Sequence, residues 1–109
     1  MRAENILIML IFGRVAFSGF MIEFELIIQN NKGLHARASA KLVELVEAFD
    51  AQCEISKQNM TVSGDSIMGL LMLSAAKGSS IKLRFWGREC ESLSIAIRDL
   101  IDNYFGEEQ

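Results

Sequence analysis

The chain has 109 residues, a formal net charge of −3 and 50% hydrophobic residues. That is enough for one buried core and too little for a cofactor domain beside a substrate domain. The acidic balance argues against a nucleic-acid partner held by phosphate neutralisation. Two cysteines, Cys53 and Cys90, exclude a disulfide framework and a four-ligand zinc site, and a single histidine, His35, excludes any site needing two imidazoles.

Residues 1–20 contain an apolar run from Ile6 to Phe12. It is far shorter than the roughly 20 residues that cross a bilayer as a helix. Its length meets the lower limit of a signal-peptide core, and Ala16-Phe17-Ser18 loosely imitates a cleavage site, but Glu4 dilutes the positive charge such a segment starts with. The expectation for 1–20 is an upstream extension outside the fold, from a start assigned too early. A signal peptide and a packed N-terminal element are the alternatives. Arg2 and Arg14 stand there against Glu4, so the domain expected at 21–109 has a net charge of −4.

From Met21 the hydrophobic period changes in an orderly way. Ile22, Phe24, Leu26 and Ile28 lie on one face of a strand, and Asn30-Asn31-Lys32-Gly33 reads as a loop. Ala36 to Phe49 has helical spacing, with Ala36, Ala40, Val43 and Val46, and Leu42, Leu45 and Phe49, on the apolar side and Lys41, Glu44 and Glu47 outside. A strand over 51–56 places Cys53 and Ile55 on one face, and Gln58-Asn59 leads to a short strand, Met60 to Ser63. Gly64-Asp65-Ser66 ends that strand and starts an apolar helix, Ile67 to Leu73. After the Lys77-Gly78-Ser79 loop come a strand through Ile81, Leu83 and Phe85 and a helix from about Arg88 to Tyr104, with Gly106 as its C′ residue. The order β-α-β-β-α-β-α predicts an α+β, two-layer open-faced sandwich: a four-stranded antiparallel sheet covered by three helices.

Chemistry concentrates at Gly33-Leu34-His35-Ala36-Arg37-Ala38-Ser39, where a loop enters a helix. The start of a helix presents unpaired N–H groups and the positive end of its dipole, which favour an anion. A neutral imidazole nitrogen of His35 can attack phosphorus. The transferred group would then meet the first-turn amides, over Ala36, Ala38 and Ser39, and the Arg37 guanidinium. Gly33 permits a close approach of the loop. For an isolated histidine, the simpler account is a half-exposed residue near a helix cap.

Ser66 reads first as an N-cap, its oxygen accepting a backbone N–H two or three residues on. A phosphate placed there would suit the helix dipole and leave the fold intact. Ile67, Met68, Leu71 and Met72 are too many apolar groups for one short helix to hide, so part of them suits a docking patch. Cys53 and Cys90 have acidic neighbours, which raise a thiol pKa, so neither reads as activated.

With these motifs in place, the stretch from Met21 to Glu107 resembles the HPr family, the histidine-containing phosphocarriers of the bacterial phosphoenolpyruvate-dependent phosphotransferase system. The resemblance rests on Gly33-Leu34-His35-Ala36-Arg37 and on Ser66-Ile67-Met68-Gly69-Leu70-Leu71-Met72-Leu73. It implies that His35 accepts a phosphoryl group on Nδ1 from Enzyme I and passes it to IIA-type proteins, with Arg37 stabilising the group. It further implies that Ser66 matches the position phosphorylated by a dedicated serine kinase, and that Ile67, Met68 and Leu71 match the docking patch. No metal or organic cofactor, no nucleic acid and no membrane insertion are implied; a cytoplasmic monomer is.

Four positions depart from the family pattern. Ala38 stands where proline is usual, Asp65 where a basic residue often precedes the regulatory serine, and Glu44 and Glu47 where lysines would meet Enzyme I. The acidic helix fits a diverged Enzyme I of a nitrogen-regulatory branch. The rival reading is a regulatory binding module that docks through Ile67, Met68 and Leu71 without transferring phosphate. A nucleic-acid module is the weaker third, because adjacent Phe85 and Trp86 cannot stack bases on one sheet face.

Overall fold

The computed structural model describes residues 16–18 and 21–107. Its strands are β1 (Ala16–Ser18), β2 (Met21–Ile27), β3 (Gln52–Lys57), β4 (Met60–Ser63) and β5 (Ser80–Trp86). Its helices are α1 (Ala36–Ala48), α2 (Ile67–Met72) and α3 (Cys90–Asp102), followed by a 3₁₀ turn, Tyr104–Gly106. The strands pair antiparallel in the order β1-β2-β5-β3-β4. The expected four strands and three helices are all present, each within two residues of its expected ends.

β1 is an addition to that plan. It pairs with β2 in the register Ala16↔Glu23, Phe17↔Ile22 and Ser18↔Met21, so it occupies the row of backbone groups that β2 would otherwise present as a sheet edge. Period-2 alternation inside a loosely patterned segment of three residues carries too little signal to show this in advance. The apolar run Ile6–Phe12 lies outside the described residues.

Alternation along the strands decides the two faces. Ile22 sits opposite Phe85 and Phe24 opposite Leu83, while Cys53 is opposite Phe85 and Ile55 opposite Leu83. All six are buried under the helices. The Phe24 and Phe85 rings lie 5.4 Å apart, and the Arg98 guanidinium covers the outer side of Phe24 at 4.5 Å from its centroid. The other face keeps its charges in water: Arg84 is flanked by Glu23 and Glu54 in register, with N–O separations of 3.9 and 3.8 Å. One face of this antiparallel sheet therefore needs no covering layer.

α1 buries Ala38, Ser39, Leu42, Val43 and Val46, and α3 buries Leu93, Ile97 and Ile101. Leu42, Val43 and Val46 are expected inward residues of α1, whereas Ala36 at its first turn is exposed, because the stripe there is carried by Ala38 and Ser39. The end of α3 differs from expectation. The helix stops at Asp102 with Asn103 as its cap, and Tyr104, Phe105 and Gly106 all take positive φ values of 57°, 55° and 74°. Gly106 therefore closes a left-handed turn and does not cap the helix. Left-handed backbone at two non-glycine residues costs on the order of 1 kcal/mol each; burying the whole Phe105 ring, which has no exposed surface, offsets this by roughly 2–3 kcal/mol.

Candidate functional site

The loop between β2 and α1 is held by its own backbone. Gly33 donates to the Asn30 carbonyl at 3.1 Å, and the Leu34 N–H donates to the Ala75 carbonyl at 2.9 Å. At Gly33, φ is +64° and an added Cβ would lie 2.5 Å from the Ala75 carbonyl oxygen. The close approach expected of this glycine is thus to the chain following α2. With Leu34 anchored in the core, the next residue has to turn out of it.

That residue is His35, the N-cap of α1, in extended conformation at φ −80° and ψ −176°. Its side chain makes no capping bond. The first-turn amides through Ala38 therefore lack helical acceptors, as at any helix start. Ser39 differs from the expected set: its N–H donates to the His35 carbonyl at 2.8 Å, and its buried hydroxyl donates to the Leu34 carbonyl at 3.3 Å. Ser39 closes the first helical turn and has no free donor for an anion.

A cleft of about 410 Å³ opens beside the imidazole, lined by Lys32, His35, Arg37, Lys41, Gly106 and Glu107. Three of these are cations, in a chain whose overall charge is negative. The Arg37 side chain is exposed and has no ion-pair partner among the described residues, so its planar fork is available to phosphate oxygens. Lys41 lies one turn further along α1, and its Nζ donates to the Phe105 carbonyl at 2.6 Å. The left-handed turn after α3 is thereby pinned against α1.

Glu107 is what that turn delivers. One carboxylate oxygen pairs with His35 Nε2, and the other accepts from Asn30 Nδ2 at 2.9 Å. Burial pushes the Glu107 carboxyl upward, but hydrogen bonds from Asn30 and His35, with the charges of His35 and Lys32, hold it below the ordinary carboxylate value. Asn30 has no exposed surface and also donates from Nδ2 to the Gly33 carbonyl at 2.8 Å. Sequence spacing pointed to His35 and Arg37 but not to Asn30, Lys32, Lys41 or Glu107. Asn30 and Lys32 read there only as turn residues, and nothing local links Glu107 to a histidine 72 positions away.

Ser66 is the N-cap of α2, its Oγ accepting the Gly69 N–H at 3.0 Å. The preceding Asp65 accepts from Ser63 Oγ at 2.6 Å. In α2 only Leu70 is fully buried; Ile67, Met68 and Met72 are 40%, 69% and 62% exposed, and Leu71 is half-buried. α2 packs beside α1, which puts this apolar patch in the same helical layer as His35. Both thiol pKa values are raised, Cys53 to about 12, chiefly by burial and secondarily by Glu54, and Cys90 by burial and Glu91. Among the described residues no helix is long and apolar enough to cross a membrane.

Comparison with known proteins places these features in context. A family model described as "PTS HPr component phosphorylation site" matches residues 22–103. The chain is 39% identical over 88 residues to the phosphocarrier protein HPr of Xylella fastidiosa (strain 9a5c), covering 81% of this chain and 99% of that protein. It is 38% identical over 86 residues to the phosphocarrier protein NPr of Shewanella violacea, covering 79% and 94%. Among solved structures, HPr-C-His from Thermoanaerobacter tengcongensis superposes with a TM-score of 0.76 at 38% identity, covering 80% of this chain and 98% of that one.

Proposed function

The chain belongs to the HPr phosphocarrier family of the phosphotransferase system, and on that premise we propose that His35 is its phosphoryl acceptor. The observation that carries the proposal is the convergence of Lys32, Arg37, Lys41 and the first turn of α1 on one imidazole. Phospho-Enzyme I donates, with phosphoenolpyruvate as the ultimate source, and a IIA-type histidine receives. In each step a ring nitrogen forms its bond to phosphorus as the opposite nitrogen–phosphorus bond breaks in line. Little covalent chemistry is asked of the protein, so positioning and charge stabilisation supply the catalysis. Arg37 offers paired N–H donors to the equatorial oxygens, and the amides of Ala36 and Ala38 add the helix terminus. Gly33 keeps the loop close enough to Ala75 for that geometry.

Ile67, Met68 and Leu71 dock the partner proteins in this reading, and Ser66 is the regulatory phosphorylation site. Phosphate on Ser66 would replace a neutral cap with an anion beside a patch that partners must cover. Asp65 repels that phosphate, which weakens recognition by a serine kinase. The exposed Glu44 and Glu47 on α1 favour an Enzyme I of matching, less acidic surface, as in a regulatory branch. Each transfer needs one copy of the chain, working in the cytoplasm.

The test is incubation with phosphoenolpyruvate and the native Enzyme I. The protein should gain one acid-labile phosphate, His35→Ala should gain none, and Ser66→Ala should be labelled normally. Normal labelling of His35→Ala would overturn the assignment. If His35→Ala binds Enzyme I and IIA proteins as before and the native chain takes up no phosphate, the binding-module reading stands instead.

A further inference from the structure

Resting on the reading that His35 carries phosphate, we infer that Glu107 is a positioning residue that holds the proton on Nε2 of His35 and so reserves Nδ1 as the nucleophile. Its carboxylate faces Nε2 with one oxygen, while its other oxygen is fixed by Asn30. Asn30 is itself fully buried and bonded to the Gly33 carbonyl. From the other side, Phe105 is sunk in the core and its carbonyl is held by Lys41. The contact is therefore built by three separate elements, unlike an exposed ion pair between two free side chains.

The chemistry follows from what a carboxylate can do. Ionised, it only accepts, so the ring nitrogen opposite it must carry the hydrogen. The lone pair then sits on Nδ1. As Nδ1 bonds to phosphorus and the donor's nitrogen–phosphorus bond breaks, the ring becomes cationic, with its charge shared by Nε2–H beside Glu107. In onward transfer the phosphorus–Nδ1 electron pair returns to the ring, and the proton stays on Nε2. No proton enters or leaves in either step. The Glu107 carboxylate offsets the ring charge. Lys32, Arg37 and Lys41, the other charged groups lining the cleft, offset its repulsion of the arriving phosphoryl group.

The test uses the full chain labelled with ¹⁵N-histidine, observed by NMR in alkaline buffer where imidazole is neutral. The native ring should show one tautomer, with hydrogen on Nε2. Glu107→Ala should move both nitrogen shifts toward the mixture of free imidazole. Glu107→Gln has one acceptor for the two donors that the carboxylate serves, Asn30 Nδ2 and His35 Nε2–H, so its shifts should fall between those of the native chain and those of Glu107→Ala. Both variants should retain the native fold and take phosphate from phospho-Enzyme I about two- to fivefold more slowly, the scale of one partly exposed charge pair. Native shifts together with a native rate in Glu107→Ala would overturn the inference. A native chain with a single Nε2–H tautomer but no phosphate uptake would instead overturn the transfer reading and leave the Glu107 contact established.

Discussion

Gly33 and Gly78 offer a paired measurement of what close packing at the site demands. Both glycines have positive φ, +64° and +90°, so alanine at either position meets the left-handed penalty of about 1–2 kcal/mol. Alanine also removes unfolded-chain entropy in both, a gain of about 0.4–1 kcal/mol. These two effects nearly cancel in the comparison. What remains is the space around the new Cβ. At Gly78 nothing lies within 4 Å; at Gly33 the Ala75 carbonyl oxygen would be 2.5 Å away and the Ala76 Cα 2.9 Å. Those neighbours are backbone and cannot rotate aside. The loop must separate from the 75–76 segment, which stretches the Leu34–Ala75 hydrogen bond, worth about 1 kcal/mol. Repacking around Leu34 adds about 1–2 kcal/mol. Gly33→Ala is therefore expected to be about 2–3 kcal/mol less stable than Gly78→Ala, a gap of roughly 10–20 °C in melting temperature for a domain of this size. Urea denaturation of both variants, with unchanged m-values, measures the gap directly. Equal stability of the two would refute the claim that the loop bearing His35 is set by backbone contact with Ala75.

Ser66→Ala removes the acceptor for the Gly69 N–H and should cost about 1 kcal/mol, whereas Ser66→Asp, another good cap, should recover most of it; urea midpoints and exchange of the Gly69 amide report both. Cys53 is raised to about 12, against an ordinary thiol value of ~8.5. The folded state thus disfavours its ionisation, and the stability this protects is complete below the ordinary value and lost as pH rises toward the folded one. The native chain should lose stability relative to Cys53→Ala by about 1.4 kcal/mol per pH unit across that window. Denaturation curves of the two proteins from neutral to strongly alkaline pH measure the difference, and parallel pH profiles would show that the thiol ionises without hindrance.

Much of the architecture was legible without coordinates, because burial on one face imposes a period. Ile22, Phe24, Ile81, Leu83 and Phe85 alternate, and Leu42, Val46, Leu93, Ile97 and Ile101 recur at helical spacing; all are core residues. Ser66 was legible as a cap because a helix start is a local event. The turn after α3 was not. Glycine near a helix end ordinarily signals a C′ residue, and only the burial of Phe105 explains why Tyr104 and Phe105 accept left-handed backbone. Likewise, an apolar helix of this kind does not announce which residues it hides. Leu70 is buried and Met68 is not, because α2 has one side against α1 and the other against solvent.

A length of 109 residues, an acidic charge and a single histidine restricted the chemistry to one imidazole at a loop-to-helix junction beside an arginine. Those determinations are local, since they depend on residue type, period and capping. The environment of that imidazole is not local. Lys41 reaches it along α1, Asn30 from beneath the loop and Glu107 from the far end of the chain, joined only when the core closes over Phe105 and Leu34. The hydrogen-bonding partner of Nε2 therefore depends on contacts across more than 70 residues, which no sequence period records and only tertiary packing could decide.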